Sequence, residues 1–421
     1  MTPKDFLDDF VGTSLWSTLP AKHRFKYTKE PNTGMKESHR LALTMKGVID
    51  RSLDDNEGLQ SSDYSSYQIF EPGDLAFKLI DLQNIKTSRV GLVPRRGIMS
   101  PAYIRLVPTS DVVVSKFYYW YFYAAYIGNI FNGLGGGIRQ NLSQTELLNF
   151  PVPDLSQDDQ NAIADYLDRE TGRIDGLIEK KTRFIALLKE KRAAVIDHAV
   201  TKGMDPSAEM KSSGVEWIGD IPAHWDVPRV ATLFREAFRK PDPDLPVLSV
   251  SIHNGVSDGE LSDEERDRKV ALSEDRTKYQ GVEPGDLVYN MMRAWQGAFG
   301  AVAVSGLVSP AYVVARPIAE FRTKFLEHLL HTKSAAEEIR RYSRGIADFR
   351  MRLYWEYFRD IRVCLPPLAE QDEILDHIDR ETARIEGLIE KTERSIALLK
   401  EKRAALITAA VTGKIDVRAA A

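Results

Sequence analysis

DRETGRIDGLIEKKTRFIALLKEKRAAVIDHAVTKGMD occupies residues 168–205, and DRETARIEGLIEKTERSIALLKEKRAALITAAVTGKID occupies residues 379–416; 27 of the 38 aligned positions are identical. Other marks repeat before each copy: Leu19-Pro-Ala against Ile221-Pro-Ala, Glu-Pro-Gly-Asp-Leu at Glu71 and Glu283, and Ser-Pro-Ala-Tyr at Ser100 and Ser309. The chain is therefore a tandem of two similar halves. Each half pairs a stretch that repeats closely with a longer region that matches only at scattered points.

Within the repeated stretch, apolar residues fall in two adjacent rows seven residues apart. The first copy has Ile174, Leu188 and Val195 beside Ile178 and Ile185, and the second has Ile385, Leu399 and Leu406 beside Ile389 and Ile396. Two such rows make a narrow apolar stripe on a long helix whose other faces carry Glu, Lys and Arg. The polar intrusions Lys181, Arg192, Thr392 and Arg403 either set the register of a helix pair or run their stems along its edge. Prolines at Pro153, Pro366 and Pro367 place the helix starts near Ser156 and Ala369, and Gly203 and Gly413 mark the ends. About 44 residues at 1.5 Å rise make a rod of roughly 65 Å. A helix of that length with so narrow a stripe needs a partner, and the other copy, running antiparallel, is the nearest one.

The regions before the helices read as mixed α/β, with β-rich runs at Val90, Tyr103, Leu245 and Ala311 and helical stretches at 116–131 and 321–342. The aromatics from Phe117 to Tyr123 fit a helix packed on a sheet better than a base-stacking surface. The fold class expected is α+β: two similar mixed domains separated by two long helices that pair as an antiparallel coiled coil, with pseudo-twofold symmetry. The boundaries expected are 1–155, 156–203, 204–366, 367–413 and a tail, 414–421.

The 421 residues, 43% hydrophobic and 28% charged, describe a globular protein with more than one core. There is no apolar run of membrane-spanning length and no leader-like start, so the expected location is the cytoplasm. The lone cysteine, Cys364, excludes an internal disulfide and a cysteine-rich metal site. A net charge of −4 lacks the basic excess of most nucleic-acid-binding domains.

Catalytic constellations fail one after another. An adenine methyltransferase needs a glycine-rich cofactor loop and a Pro-Pro-aromatic motif, and the one Pro-Pro, Pro366-Pro367, is followed by Leu368. The glycines at 133–137 have no Gly-Lys-Ser/Thr after them. Acids at Asp154, Asp158, Asp159, Asp242 and Asp244 lack a downstream Glu-x-Lys, and the histidines have no metal-ligand spacing. No catalytic or metal site is expected.

Polar loops suggest recognition instead. Arg139, Gln140 and Asn141 align with a second-half segment that places Arg350 opposite Arg139 and Arg352 opposite Asn141. Arginine can read guanine with two hydrogen bonds, and glutamine or asparagine can read adenine; a loop that only braces the helix start fits the same residues. Further candidates are Lys78, Gln83, Asn84, Lys86, Arg89, Arg95 and Arg96 in the first half, and His253, Asn254, Arg293, Trp295 and Gln296 in the second.

With Ser213-Gly-Val-Glu-Trp-Ile-Gly-Asp-Ile-Pro-Ala-His-Trp225, Leu365-Pro-Pro-Leu-Ala-Glu-Gln371 and Asp379-Arg-Glu-Thr382 through Lys400-Glu-Lys-Arg403, the chain resembles the specificity subunit of type I restriction-modification systems. The likeness spans essentially the whole sequence, in the order variable region, conserved helix, variable region, conserved helix. The first half departs at Leu15-Trp-Ser-Thr-Leu-Pro-Ala-Lys-His23 and carries two extra residues in 153–160. The resemblance implies two target-recognition domains, each reading one part of an asymmetric bipartite site in double-stranded DNA. It also implies a helix pair that spaces them and docks two modification subunits, which hold S-adenosylmethionine. Restriction subunits that use ATP and Mg²⁺ would join these, and the chain itself would hold no cofactor and catalyse nothing. Half-sites about one helical turn apart need two readers at fixed separation. The competing reading, which the near-neutral charge supports, is a coiled-coil scaffold that reads no DNA.

Overall fold

In a computed structural model of the chain the duplicated stretch lies in two continuous helices, Gln157–Lys202 and Leu368–Val411, of 46 and 44 residues. The structure describes residues 10–12, 14–45, 47–52, 64–80, 82, 89–134, 141–252, 255–262, 275–345 and 351–417. Ser156 opens the first long helix, its Oγ accepting from the Asp159 amide at 3.2 Å, as an N-cap side chain does. Each helix ends at a glycine in the left-handed region, Gly203 at φ 74° and Gly413 at φ 78°. No helix among the described residues is long and apolar enough to cross a membrane.

Two compact units divide the chain: 1–182 with 393–421, and 183–392. Each takes in part of both long helices. In unit 1, Ile163, Ala164 and Leu167 near the start of the first long helix share a core with Ile407, Ala410 and Val411 at the end of the second. In unit 2, Ala199 and Val200 near the end of the first share a core with Ile374 and Ile378 near the start of the second. Start meets end in both units, so the pairing is antiparallel within each. An ion pair marks the register: Arg403 Nε lies 2.9 Å from Asp175 in unit 1, and Arg192 Nη2 lies 3.2 Å from Glu386 in unit 2. The repeat aligns Arg403 with Arg192 and Glu386 with Asp175, so one contact is made twice. Of the stripe residues, Ile174, Leu188 and Ile385 are buried, whereas Ile178, Ile185, Val195, Ile389, Ile396, Leu399 and Leu406 are half-buried.

The poorly matching regions share one topology. Unit 1 has a four-stranded antiparallel sheet in the order Phe25–Tyr27, Ile104–Pro108, Leu75–Lys78, Arg89–Leu92. Unit 2 has the same sheet in the order Phe234–Glu236, Tyr312–Pro317, Leu287–Asn290, Phe299–Ala301. A two-stranded pair accompanies each sheet, Gln68–Phe70 with Gly97–Met99 and Gln280–Val282 with Gly306–Val308. The repeated motifs are the fixings. Gln68 Nε2 donates to the Tyr103 carbonyl and Gln280 Nε2 to the Tyr312 carbonyl, both at 2.6 Å. Asp74 and Asp286 accept from the amides of Glu71 and Glu283, at 2.7 and 3.0 Å, inside the repeated Glu-Pro-Gly-Asp turn.

The aromatic helix of unit 1, Ser115–Ile127, lays Phe117, Tyr118, Trp120, Tyr121 and Phe122 into the core. Phe77 meets Phe122 edge-on at 5.1 Å, and Phe25 meets Tyr118 at 5.2 Å. Each such ring contributes about 1.5–3 kcal/mol through burial. Where one helix was expected over 321–342, unit 2 has two, Thr323–Leu330 and Lys333–Tyr342. Thr332 divides them by capping the second, its Oγ1 accepting from the Ala335 amide at 3.3 Å.

Candidate nucleic-acid interface

Each long helix starts with a buried glutamine that grips the adjoining domain. Gln160 Oε1 accepts from the Val114 amide at 2.8 Å and its Nε2 donates to the Leu155 carbonyl at 3.0 Å. Gln371 repeats this with the Arg322 amide at 2.7 Å and the Pro366 carbonyl at 2.8 Å. Val114 and Arg322 are the residues before the helices Ser115–Ile127 and Thr323–Leu330, so each clamp satisfies an amide at a helix start. In unit 2 the motifs quoted above meet in space. Trp225 Nε1 donates to Glu370 Oε1 at 3.0 Å, and His224 Nε2 lies 2.7 Å from Glu370 Oε2. These residues hold the domain against its helix.

The surface opposite in character lies at the end of the central strand of each sheet. In unit 1 Lys78 and Arg89 face each other in register on neighbouring strands. The Leu142 amide donates to the Leu79 carbonyl at 3.1 Å, which brings Asn141 to the same place. In unit 2 the Leu353 amide donates to the Met291 carbonyl at 2.9 Å, so Arg352 takes the place of Asn141. Of the sequence candidates, then, Lys78, Arg89 and Asn141 come together in unit 1, and Arg293, Gln296 and Arg352 in unit 2. Gln83, Asn84, Lys86, Arg139, Gln140, His253, Asn254 and Arg350 lie outside the described residues. Arg95 and Arg96 are tied to acids: Arg95 Nη1 lies 3.3 Å from Asp50, and Arg96 pairs with Glu37 at 3.2 Å and with Glu71. Backbone amides, first that of His39, together with Arg96 hold the Glu37 carboxyl below its usual range against the opposing pull of burial.

The structure adds residues that sequence reasoning passed over. Tyr103 of unit 1 sits among guanidinium groups; burial pushes its hydroxyl up, and Arg89, Arg51 and Arg40 oppose that. Arg40 is only 6% exposed, lies 5.5 Å from the Tyr64 ring centre, and has no hydrogen-bond partner for Nη1 among the described residues. Tyr64 meets Tyr67 edge-on at 4.9 Å. In unit 2, Arg344 and Arg352 stand opposite each other on an antiparallel bridge, joined by amide-to-carbonyl bonds of 2.8 and 2.9 Å. Arg344 covers the Tyr357 ring at 4.4 Å and Arg340 the Trp295 ring at 5.2 Å. The repeated Ser-Pro-Ala-Tyr motif was a usable pointer to Tyr103. Arg40, Arg51, Arg340 and Arg344 had none, because strand register and helix packing bring them in.

Both units thus combine arginines with aromatic faces at a strand end where loops converge, and they do so with different residues. Among solved structures, a chain of a type I R-M system, from work on complex assembly and conformational transition, superposes with a TM-score of 0.66 at 12% identity, covering 95% of this chain and 98% of that one. The chain has the fold of these proteins. An HsdS subunit from Thermoanaerobacter tengcongensis matches it with a TM-score of 0.53 at 13% identity, covering 95% of this chain and 97% of that one. No protein-family model matches the sequence, and no curated protein does. In this HsdS-like fold the repeated glutamine clamps and ion pairs lie on the long helices, and the differing basic-aromatic clusters lie on the domains.

Proposed function

We propose that the chain is the non-catalytic DNA-recognition subunit of a type I restriction-modification complex, with 1–155 and 204–366 as its two target-recognition domains. The fold supports this by analogy; the observation that carries it is the placing of like charges opposite one another. Arg344 faces Arg352 across a bridge, and Lys78 faces Arg89 across a strand pair. Like charges directly opposite cost a sheet about 0.2–1 kcal/mol. A polyanion alongside reverses the sign of that cost, and the same device recurs beside the converging loops of both units. The aromatic faces next to the arginines add flat, rigid contact surface.

Because the clusters differ, each domain reads a different sequence and the site is asymmetric. Lys78, Arg89 and Asn141, with Gln83, Asn84, Lys86, Arg139 and Gln140, serve the first half-site. Arg293, Gln296, Arg352 and Arg350, with His253 and Asn254, serve the second. Apolar side chains exposed on the long helices give modification subunits a surface to dock on: Leu177 and Leu398 in unit 1, and Phe184, Leu187 and Leu388 in unit 2. Those partners, two in number, bring S-adenosylmethionine, and restriction subunits bring ATP and Mg²⁺; the assembly works in the cytoplasm. The test is methylome sequencing of cells that express the chain with its modification partner. A bipartite N6-methyladenine motif that vanishes when the chain is deleted is the expected result, and an unchanged methylome overturns the proposal.

A further inference from the structure

Resting on that reading, we propose that Arg293 and Gln296 form a donor-only reader that selects the acceptor edge of a guanine in the half-site of unit 2. Arg293 Nε donates to Gln296 Oε1 at 3.1 Å. Arginine has no acceptor, so the atom it meets must be the amide oxygen, and the Gln296 NH₂ group faces away. A glutamine that reads adenine needs both ends of its amide, the NH₂ for N7 and the oxygen for the N6 amino group. Here the bond from Arg293 Nε turns the oxygen toward the guanidinium, so the two ends of the amide are not set together toward an adenine edge. What remains is the NH₂ of Gln296 and the two terminal nitrogens of Arg293, which carry no hydrogen bond among the described residues. All of these are donors. In the major groove guanine presents two acceptors, N7 and O6. Adenine and cytosine each present a donor, and thymine a single acceptor beside a methyl group.

The pair is held on a rigid turn rather than a mobile one. Residues Ala294–Gln296 form a 3-10 turn that closes on Gly297 at φ 95°, in the left-handed region that suits glycine. His331 Nε2 donates to the Gly297 carbonyl at 2.8 Å, and Asn290 Oδ1 accepts from the Met292 amide at 3.0 Å. Trp295, within the turn, is covered by Arg340. Ala294 is buried, Arg293 half-buried and Gln296 exposed, so the middle of the turn is held against the domain while Gln296 reaches solvent. Such preorganisation lowers the ordering cost of binding.

A backbone phosphate also offers acceptors only, so the experiment must separate it from guanine. The complex of the chain with its modification subunits is titrated with its cognate duplex, each guanine of the half-site being replaced in turn by 7-deazaguanine, which lacks N7, and by inosine, which keeps N7 and O6. At one position 7-deazaguanine should weaken wild-type binding roughly tenfold or more while inosine has no effect. In Arg293→Ala that sensitivity should disappear. Gln296→Glu, which turns a carboxylate toward the acceptors, should weaken cognate binding at least tenfold at the same position. A wild-type complex indifferent to every 7-deazaguanine overturns the proposal. So does an Arg293→Ala complex that binds cognate and scrambled duplexes more weakly by the same factor, which is the mark of a phosphate contact. A wild-type complex that cannot tell cognate from scrambled DNA would instead remove the DNA-recognition reading, and this proposal with it.

Discussion

Replacing Gln371 by leucine should loosen unit 2 where its domain meets the second long helix. The side chain is 1% exposed and satisfies two backbone groups, the part-buried Arg322 amide at 2.7 Å and the buried Pro366 carbonyl at 2.8 Å. Leucine nearly fills the volume but satisfies neither group. A buried polar group left without a partner costs about 1–3 kcal/mol, so the loss should be about 2–5 kcal/mol. In urea, with a slope near 3 kcal/mol/M, that lowers the unfolding midpoint by roughly 1 M while the slope stays constant. Hydrogen exchange supplies the local readout: the Arg322 amide should lose protection before the sheet of the same unit does. Gln371→Glu is the sharper control. It keeps an acceptor toward the Arg322 amide but sets a carboxylate oxygen against the Pro366 carbonyl, and should be at least as damaging at pH 7. A midpoint shift below about 0.3 M with unchanged protection at Arg322 would refute the clamp. Gln160→Leu should do the same at Val114, since the two side chains hold equivalent partners.

Four further outcomes follow from the same geometry. Burial, opposed by Arg105 Nε at 2.6 Å, raises the Asp74 carboxyl from 3.8 to about 6. Its folded-state pKa lies above the unfolded one, so its contribution is fully present below the unfolded value and is lost as pH rises through the folded one. Wild type should lose about 3 kcal/mol against Asp74→Asn over that window, and parallel pH–stability curves would contradict it. Arg403→Ala should cost about 1–3 kcal/mol, because Arg403 packs over Trp120 and Tyr123 at 5.9 and 5.7 Å. Arg192→Ala, whose pair with Glu386 is exposed on both sides, should cost under about 1 kcal/mol by urea titration. Gly413→Ala should be clearly worse than Gly203→Ala in thermal melts. Both glycines have positive φ, but an added Cβ would lie 2.6 Å from Trp16 at Gly413 and 3.3 Å from its nearest neighbour at Gly203. Arg352→Thr should leave unit 2 as stable or up to about 1 kcal/mol more stable, through relief of the like-charge pair with Arg344. The same variant should lower the DNA affinity of the assembled complex at least fivefold, measured by anisotropy.

The long helices were legible because their periodicity is a local signal. The rows that predicted a stripe are buried at Ile174, Leu188 and Ile385 and half-buried elsewhere, the deepest burial falling toward the helix ends at Leu167, Val200, Ile374 and Ile407, and the intrusions Arg192 and Arg403 each make the same ion pair. The candidate site was legible only in part. Arg293, Gln296 and Arg352 were visible as donor-bearing side chains, and Lys78 and Arg89 as basic ones. Nothing in their spacing told that Arg352 stands opposite Arg344 or that Arg293 occupies the oxygen of Gln296. Arg40 and Arg51 reach Tyr103 through strand pairing and loop closure, which leave no periodic trace in sequence.

By itself the sequence determined that the chain is a tandem, where the long helices begin and end, and that their narrow stripe demands a partner, since proline, glycine and apolar spacing act over a few residues of chain. Only the tertiary structure decided that the weakly similar regions share one sheet topology, because a sheet tolerates wide sequence change while its register and burial pattern persist. It alone decided what the repeated glutamines do, and which arginines gather beside which aromatic faces. Those contacts join residues far apart in the chain, and they form only once the backbone closes its sheets and sets the helices against them.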